Sequence, residues 1–134
     1  MPRRVFLETF GCQMNELDSE LVKGQLHALG YSFTPRRDDA DVLLYNTCSV
    51  RELAEQKVWS RLGEDKRRKT RRPDLVVGVL GCMAERDGEP MVRKFPQIDV
   101  LCGPGELDRV SRLIDNAVRT RSPQIALQGN RSRR

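Results

Sequence analysis

Val76-Val77-Gly78-Val79-Leu80-Gly81-Cys82 is the stretch on which the fold turns. Its unbroken apolar, β-branched run has the composition of a strand covered on both faces, the habit of parallel sheets. Two other segments repeat the form, Val5-Phe6-Leu7-Glu8-Thr9-Phe10-Gly11-Cys12 and Val42-Leu43-Leu44-Tyr45-Asn46-Thr47-Cys48. Each is a strand-like run that ends in a cysteine and then passes into polar or helix-starting residues.

Between these runs the apolar period changes to that of a helix. Leu17, Leu21, Val22, Leu26 and Leu29 recur at helical spacing, and Gly30 suits the residue just past a helix end. Tyr31 and Phe33 alternate with polar neighbours as a short second strand. Val50, Leu53, Ala54, Val58 and Leu62 trace one face of a helix that holds Trp59 and ends before Pro73. Gly88 and Pro90 interrupt the helix after Cys82, which predicts two short pieces or a regular part starting near Pro90. Ile98 to Cys102 reads as a fifth strand, and Leu107, Val110, Leu113, Ile114, Ala117 and Val118 as an amphipathic helix. Beyond Thr120 the pattern stops, so residues 1–120 read as one α/β domain and 121–134 as a linker or an edge segment.

Parallel neighbours need crossover connections, so strands alternating with helices predict a five-stranded parallel sheet with helices on both faces. The expected architecture is flavodoxin- or Rossmann-like, with strand order 2-1-3-4-5.

A chain of 134 residues can bury a core without disulfide or metal staples. No run is long enough to cross a membrane, and no apolar signal region follows Met1-Pro2-Arg3-Arg4. The expectation is a soluble, cytoplasmic monomer in a reducing compartment, where grouped cysteines point to metal or redox chemistry. The net charge of +5 comes from the five arginines of residues 119–134, and the remainder is neutral. One dense basic run, Lys66-Arg67-Arg68-Lys69-Thr70-Arg71-Arg72, suits a solvated helix end, with a phosphate contact as the alternative.

In the expected order the first, third and fourth strands are adjacent, at a spacing of roughly 4.8 Å. Cys12, Cys48 and Cys82 then stand together beyond the carboxyl ends of their strands, the edge where open parallel sheets bind ligands. Helices that begin there favour thiolates. Cys102 follows the fifth strand, about 14 Å from Cys12, too far to share the site. Separations of 36 and 34 residues match no close-paired zinc motif, which favours iron over a three-cysteine zinc site; three separate buried thiols are the plain alternative. A 4Fe-4S cluster held by three thiolates leaves one iron open to another ligand.

The residues around these cysteines are also familiar. Thr9-Phe10-Gly11-Cys12-Gln13-Met14-Asn15 with Asp18-Ser19-Glu20, Asn46-Thr47-Cys48-Ser49-Val50-Arg51-Glu52 with Ala54 and Lys57-Val58, and Gly81-Cys82-Met83-Ala84-Glu85-Arg86 resemble the N-terminal domain of radical-SAM methylthiotransferases. The likeness covers nearly all of residues 3–118, and Gln-Met-Asn and Ser-Val-Arg-Glu make it most similar to the branch that methylthiolates N6-isopentenyladenosine beside the tRNA anticodon. Branches acting on threonylcarbamoyladenosine or on a ribosomal-protein aspartate are the alternatives within the family; a cluster-free flavodoxin-like scaffold is the alternative outside it.

The resemblance implies that Cys12, Cys48 and Cys82 bind an auxiliary 4Fe-4S cluster carrying the transferred sulfur. It implies S-adenosylmethionine and a second cluster in a radical-SAM domain with a Cys-x3-Cys-x2-Cys motif, an RNA-binding domain in cis, and tRNA as substrate. This sequence lacks that motif, so the expectation is a fragment that cannot complete the reaction. Asn15 and Asn46 stand near cluster cysteines, where an amide can hydrogen-bond a sulfur; Asn15 equally suits a helix cap. His27 reads as a surface residue of the first helix, and Gly103-Pro104-Gly105 as a turn.

Overall fold

The computed structural model describes residues 3–10, 13–47 and 52–127; the side chains of 13–15 and 52–55 are not among those described. In chain order the elements are β1 (Arg4–Thr9), α1 (Gln13–Ala28), β2 (Ser32–Phe33), a 3-10 turn (Arg37–Asp39), β3 (Val42–Thr47) and α2 (Glu52–Arg71). There follow β4 (Val76–Gly81), α3 (Cys82–Lys94), β5 (Val100–Cys102), a second 3-10 turn (Pro104–Arg109), α4 (Val110–Thr120) and β6 (Gln124–Ala126).

All strand pairs are parallel, and the order is β2-β1-β3-β4-β5-β6. The expected order 2-1-3-4-5 is present and extended, since the sheet has six strands and not five. The added strand lies in the segment read as a linker or edge. Its connection explains why the pattern did not reveal it. α4 packs in the core layer of α1, whereas α2 and α3 pack in the other. The connections β3–α2–β4 and β5–α4–β6 run the same way across the sheet on opposite faces, so they have opposite hands, and the usual right-handed rule cannot serve both.

β3 and β4 are buried at every position, which accounts for their unbroken apolar runs. Val42, Leu44, Val76, Leu80 and Val100 face α1 and α4; Leu43, Tyr45, Val77, Val79 and Leu101 face α2 and α3. α1 meets the core only through Val22, Leu26 and Ser19, among its described side chains. Leu17, Leu21 and Leu29, read as part of its inner face, are 68%, 51% and 51% exposed. α3 bends where the sequence indicated, at Gly88 with φ 58°, ahead of Pro90.

Candidate iron–sulfur site at the carboxyl edge of the sheet

Register fixes the geometry of this edge. Thr9, Asn46, Leu80, Cys102 and Ala126 form one row across five neighbouring strands. Cys48 and Cys82 lie two residues beyond the row and Cys12 three beyond it, whereas Cys102 lies in the row itself. In sequence, the first three follow the ends of the neighbouring strands β1, β3 and β4. Cys102 stops inside the sheet.

Cys82 is exposed and opens α3, while Met83 and Ala84 behind it are buried. Gly81 makes the approach possible. Its φ of 99° lies in the region that side-chain-bearing residues avoid, and a Cβ on it would stand 2.4 Å from Thr47 O. Thr47 then holds the junction: its Oγ1 donates to Leu80 O at 2.6 Å and accepts from Met83 N at 3.3 Å.

On the opposite face, Asn46 is fully buried and its Nδ2 donates to Ser19 Oγ at 3.0 Å. Ser19, itself 2% exposed, also shares a 2.6 Å hydrogen bond with Thr9 Oγ1. β1 keeps pairing to the brink of the site, with Phe10 N donating to Asn46 O at 2.8 Å.

Of the three expected ligands only Cys82 is among the described residues; Cys12 and Cys48 lie outside them, as does the side chain of Asn15. Among the described residues, no group of three or more histidines, cysteines and carboxylates gathers to hold a metal. The donor set fits an iron–sulfur group in kind. Cys82 is exposed at a helix start, and Cys12 and Cys48 follow in sequence the last residues of β1 and β3, by three residues and by one.

Cys102 is different. It is fully buried, its Sγ donates to Glu106 O at 3.3 Å, and burial, followed by the charge of Glu106, pushes the thiol up to about 12. A thiol so placed is a core residue. His27 is exposed, as the sequence indicated.

The basic run lies at the other edge, because α2 runs back from the carboxyl ends of the strands to their beginnings. Three of its cations are drawn inward: Arg68 to Asp38, Lys69 to Asp99, and Arg72 to Asp41 at 2.7 Å. They tie the helix end to neighbouring loops. Nearby, Asp65 is fully buried; it accepts from Tyr45 OH and from Arg37 at 3.0 Å. Burial raises the Asp65 pKa despite these bonds.

Sequence reading missed Ser19 and Thr47 as structural residues of the site. Both stand in the segments that carry the resemblance, Thr47 directly before a cysteine and Ser19 two turns into the helix that follows another, but nothing in the sequence pairs them with Thr9, Asn46, Leu80 or Met83.

The chain is similar to proteins named tRNA-2-methylthio-N(6)-dimethylallyladenosine synthase. The one from Ralstonia nicotianae is 51% identical over 92% of this chain and 27% of its own length. That from Methylobacillus flagellatus is 46% identical over 93% and 28%, and that from Rhodopirellula baltica 42% over 95% and 26%. The chain thus spans about a quarter of the length of these relatives. A profile described as "Uncharacterized protein family UPF0004" matches residues 4–103, a span that holds all three motif cysteines and most of the sheet. By that match the chain belongs to the UPF0004 family, the N-terminal domain of methylthiotransferases.

Proposed function

We propose that this chain is the sulfur-supplying domain of an enzyme that adds a methylthio group to N6-isopentenyladenosine beside the tRNA anticodon, with Cys12, Cys48 and Cys82 holding a 4Fe-4S cluster. The observation that supports the reading is the row Thr9–Asn46–Leu80: the strands that Cys12, Cys48 and Cys82 follow in sequence end level at one edge of a parallel sheet, the edge where such sheets bind ligands. The names of the relatives support the substrate.

A cluster held by three thiolates supplies an iron with a free position for a transferable sulfur or methylthio ligand. The chain's own residues hold the thiolates and keep their turns in place. The start of α3 presents the exposed Cys82 at this edge. Gly81 lets that turn close against β3, and Thr47 bonds across the gap.

Activation of the adenosine belongs in this reading to a radical-SAM domain in cis, with S-adenosylmethionine and its own cluster, and tRNA capture to an RNA-binding domain. The cluster-binding domain extends in this reading from the N-terminal residues through β6, whose pairing with β5 completes the sheet, and the residues after it lead toward the next domain. The enzyme works on tRNA in the cytoplasm.

Anaerobic reconstitution with iron and sulfide tests the site. Wild-type chain and Cys102→Ala should take up a cluster with the charge-transfer absorbance of iron–sulfur proteins; Cys12→Ala, Cys48→Ala and Cys82→Ala should not hold one. Equal behaviour of all four variants would overturn the assignment.

A further inference from the structure

Asn46 and Thr47 are consecutive residues of β3, so their side chains leave opposite faces of the sheet. Asn46 reaches Ser19 on α1, and through Ser19 Oγ it is joined to Thr9 at the end of β1. Thr47 reaches the end of β4 and the first turn of α3. The strand end that leads into Cys48 is therefore bonded on one face to the strand leading into Cys12, and on the other to the turn bearing Cys82. Among the described residues, backbone pairing of these three strands runs as far as Phe10, Thr47 and Gly81. At that line the Ser19 and Thr47 hydroxyls and the Asn46 amide add side-chain bonds between the strand ends and the helices beside them.

We propose that Ser19 and Thr47 are positioning residues that set the relative placement of the three cysteine-bearing turns, and so govern how firmly an iron–sulfur cluster is retained. Neither side chain has to touch the cluster. Ser19 Oγ lies between Thr9 Oγ1 at 2.6 Å and Asn46 Nδ2 at 3.0 Å, so a serine hydroxyl, which can donate once and accept twice, satisfies both. Thr47 Oγ1 likewise uses its one proton on Leu80 O and a lone pair on Met83 N–H. Removing either hydroxyl takes away hydrogen bonds that join these strand and helix ends, so the groups it served lose one of their buried partners.

This inference rests on the cluster reading above. Ser19→Ala, Thr47→Val and Thr47→Ser are reconstituted beside the wild-type chain, Cys82→Ala and Ile114→Val. Ile114 is fully buried on α4 and belongs to neither bond set, so its variant reports general destabilisation. Cluster loss to an iron chelator is followed by absorbance, and the melting temperature of each cluster-free chain is measured alongside. The expected result is loss on the order of ten-fold faster in Ser19→Ala and Thr47→Val, the size of effect seen when partners of metal ligands are removed. Thr47→Ser should restore the wild-type rate, and Ile114→Val should keep it despite a lower melting temperature. Should Ser19→Ala not fold, Thr47→Val carries the same test, since it keeps the side-chain shape. Wild-type retention in Thr47→Val, or equally fast loss in Ile114→Val, overturns the inference alone. A wild-type chain indistinguishable from Cys82→Ala overturns the cluster reading and this inference with it.

Discussion

Gly81 and Thr47 stand so close that a single added carbon would not fit, the Cβ position on Gly81 being 2.4 Å from Thr47 O. Gly81 also has φ 99°, so a side chain there is strained by its own backbone as well as by its neighbour. Gly81→Ala should lower stability by about 3 kcal/mol, from backbone strain and a main-chain clash that no rotamer relieves. A urea titration followed by circular dichroism measures this, and a loss of only a few tenths of a kcal/mol would show that β3 and β4 separate easily at this end.

The two described cysteines should differ sharply toward an alkylating reagent. Cys82 is exposed, whereas Cys102 is buried with its thiol pushed up to about 12 by burial and the Glu106 charge. Iodoacetamide at pH 8 should label Cys82 in the folded, cluster-free chain and reach Cys102 only after denaturation, as read by peptide mass spectrometry. Comparable labelling of both in the folded state would contradict the placement of Cys102.

Asp65 anchors the α2 face by accepting from Tyr45 OH and Arg37 while fully buried. Asp65→Ala strands the Tyr45 hydroxyl and removes one partner of Arg37, which keeps Glu64. The expected cost is on the order of 2–3 kcal/mol, against about 1 kcal/mol for Tyr45→Phe, which removes only the neutral donor. Thermal unfolding of the two variants gives the comparison, and the order of the two costs is the decisive outcome.

Tyr31 donates to Asp115 at 3.1 Å, and burial, then that bond, pushes its hydroxyl up to about 12 from an ordinary value of 10.0. Its pKa is higher folded than unfolded, so the folded chain holds this proton longer. The resulting contribution to stability is complete below pH 10 and lost as pH rises from about 10 toward 12. Tyr31→Phe should flatten that part of the stability–pH curve; an unchanged slope between wild type and variant would mean that another group titrates there.

The basic run illustrates how little of a charge pattern is settled before folding. In sequence, Lys66 to Arg72 suits either a solvated helix end or a phosphate contact. The structure supplies Asp38, Asp41 and Asp99, from loops and strands that the chain places far from this run, as partners for three of its cations. A helix C-terminus favours cations in any context, so the excess of charge was legible; which acids answer it depends on how strands from other parts of the chain are arranged.

By itself the sequence determined the strand–cysteine segments, the parallel α/β class and the bend at Gly88, because each is a property of residues adjacent along the chain, while the order of the first five strands followed from the arrangement that such alternation usually takes. It also marked Cys102 as separate from the other three cysteines. Only the tertiary structure decided the sixth strand, since its crossover has the opposite hand to that of β3–α2–β4 and no local pattern encodes handedness. It likewise left Leu17 and Leu21 in solvent, where helical period alone had turned them inward, because the sheet meets α1 along the narrower line of Ser19, Val22 and Leu26. The same is true of the edge itself. Cysteine spacing along the chain is one-dimensional; it is strand register that brings Thr9, Asn46 and Leu80 level, and Ser19 and Thr47 that bond between the elements meeting there.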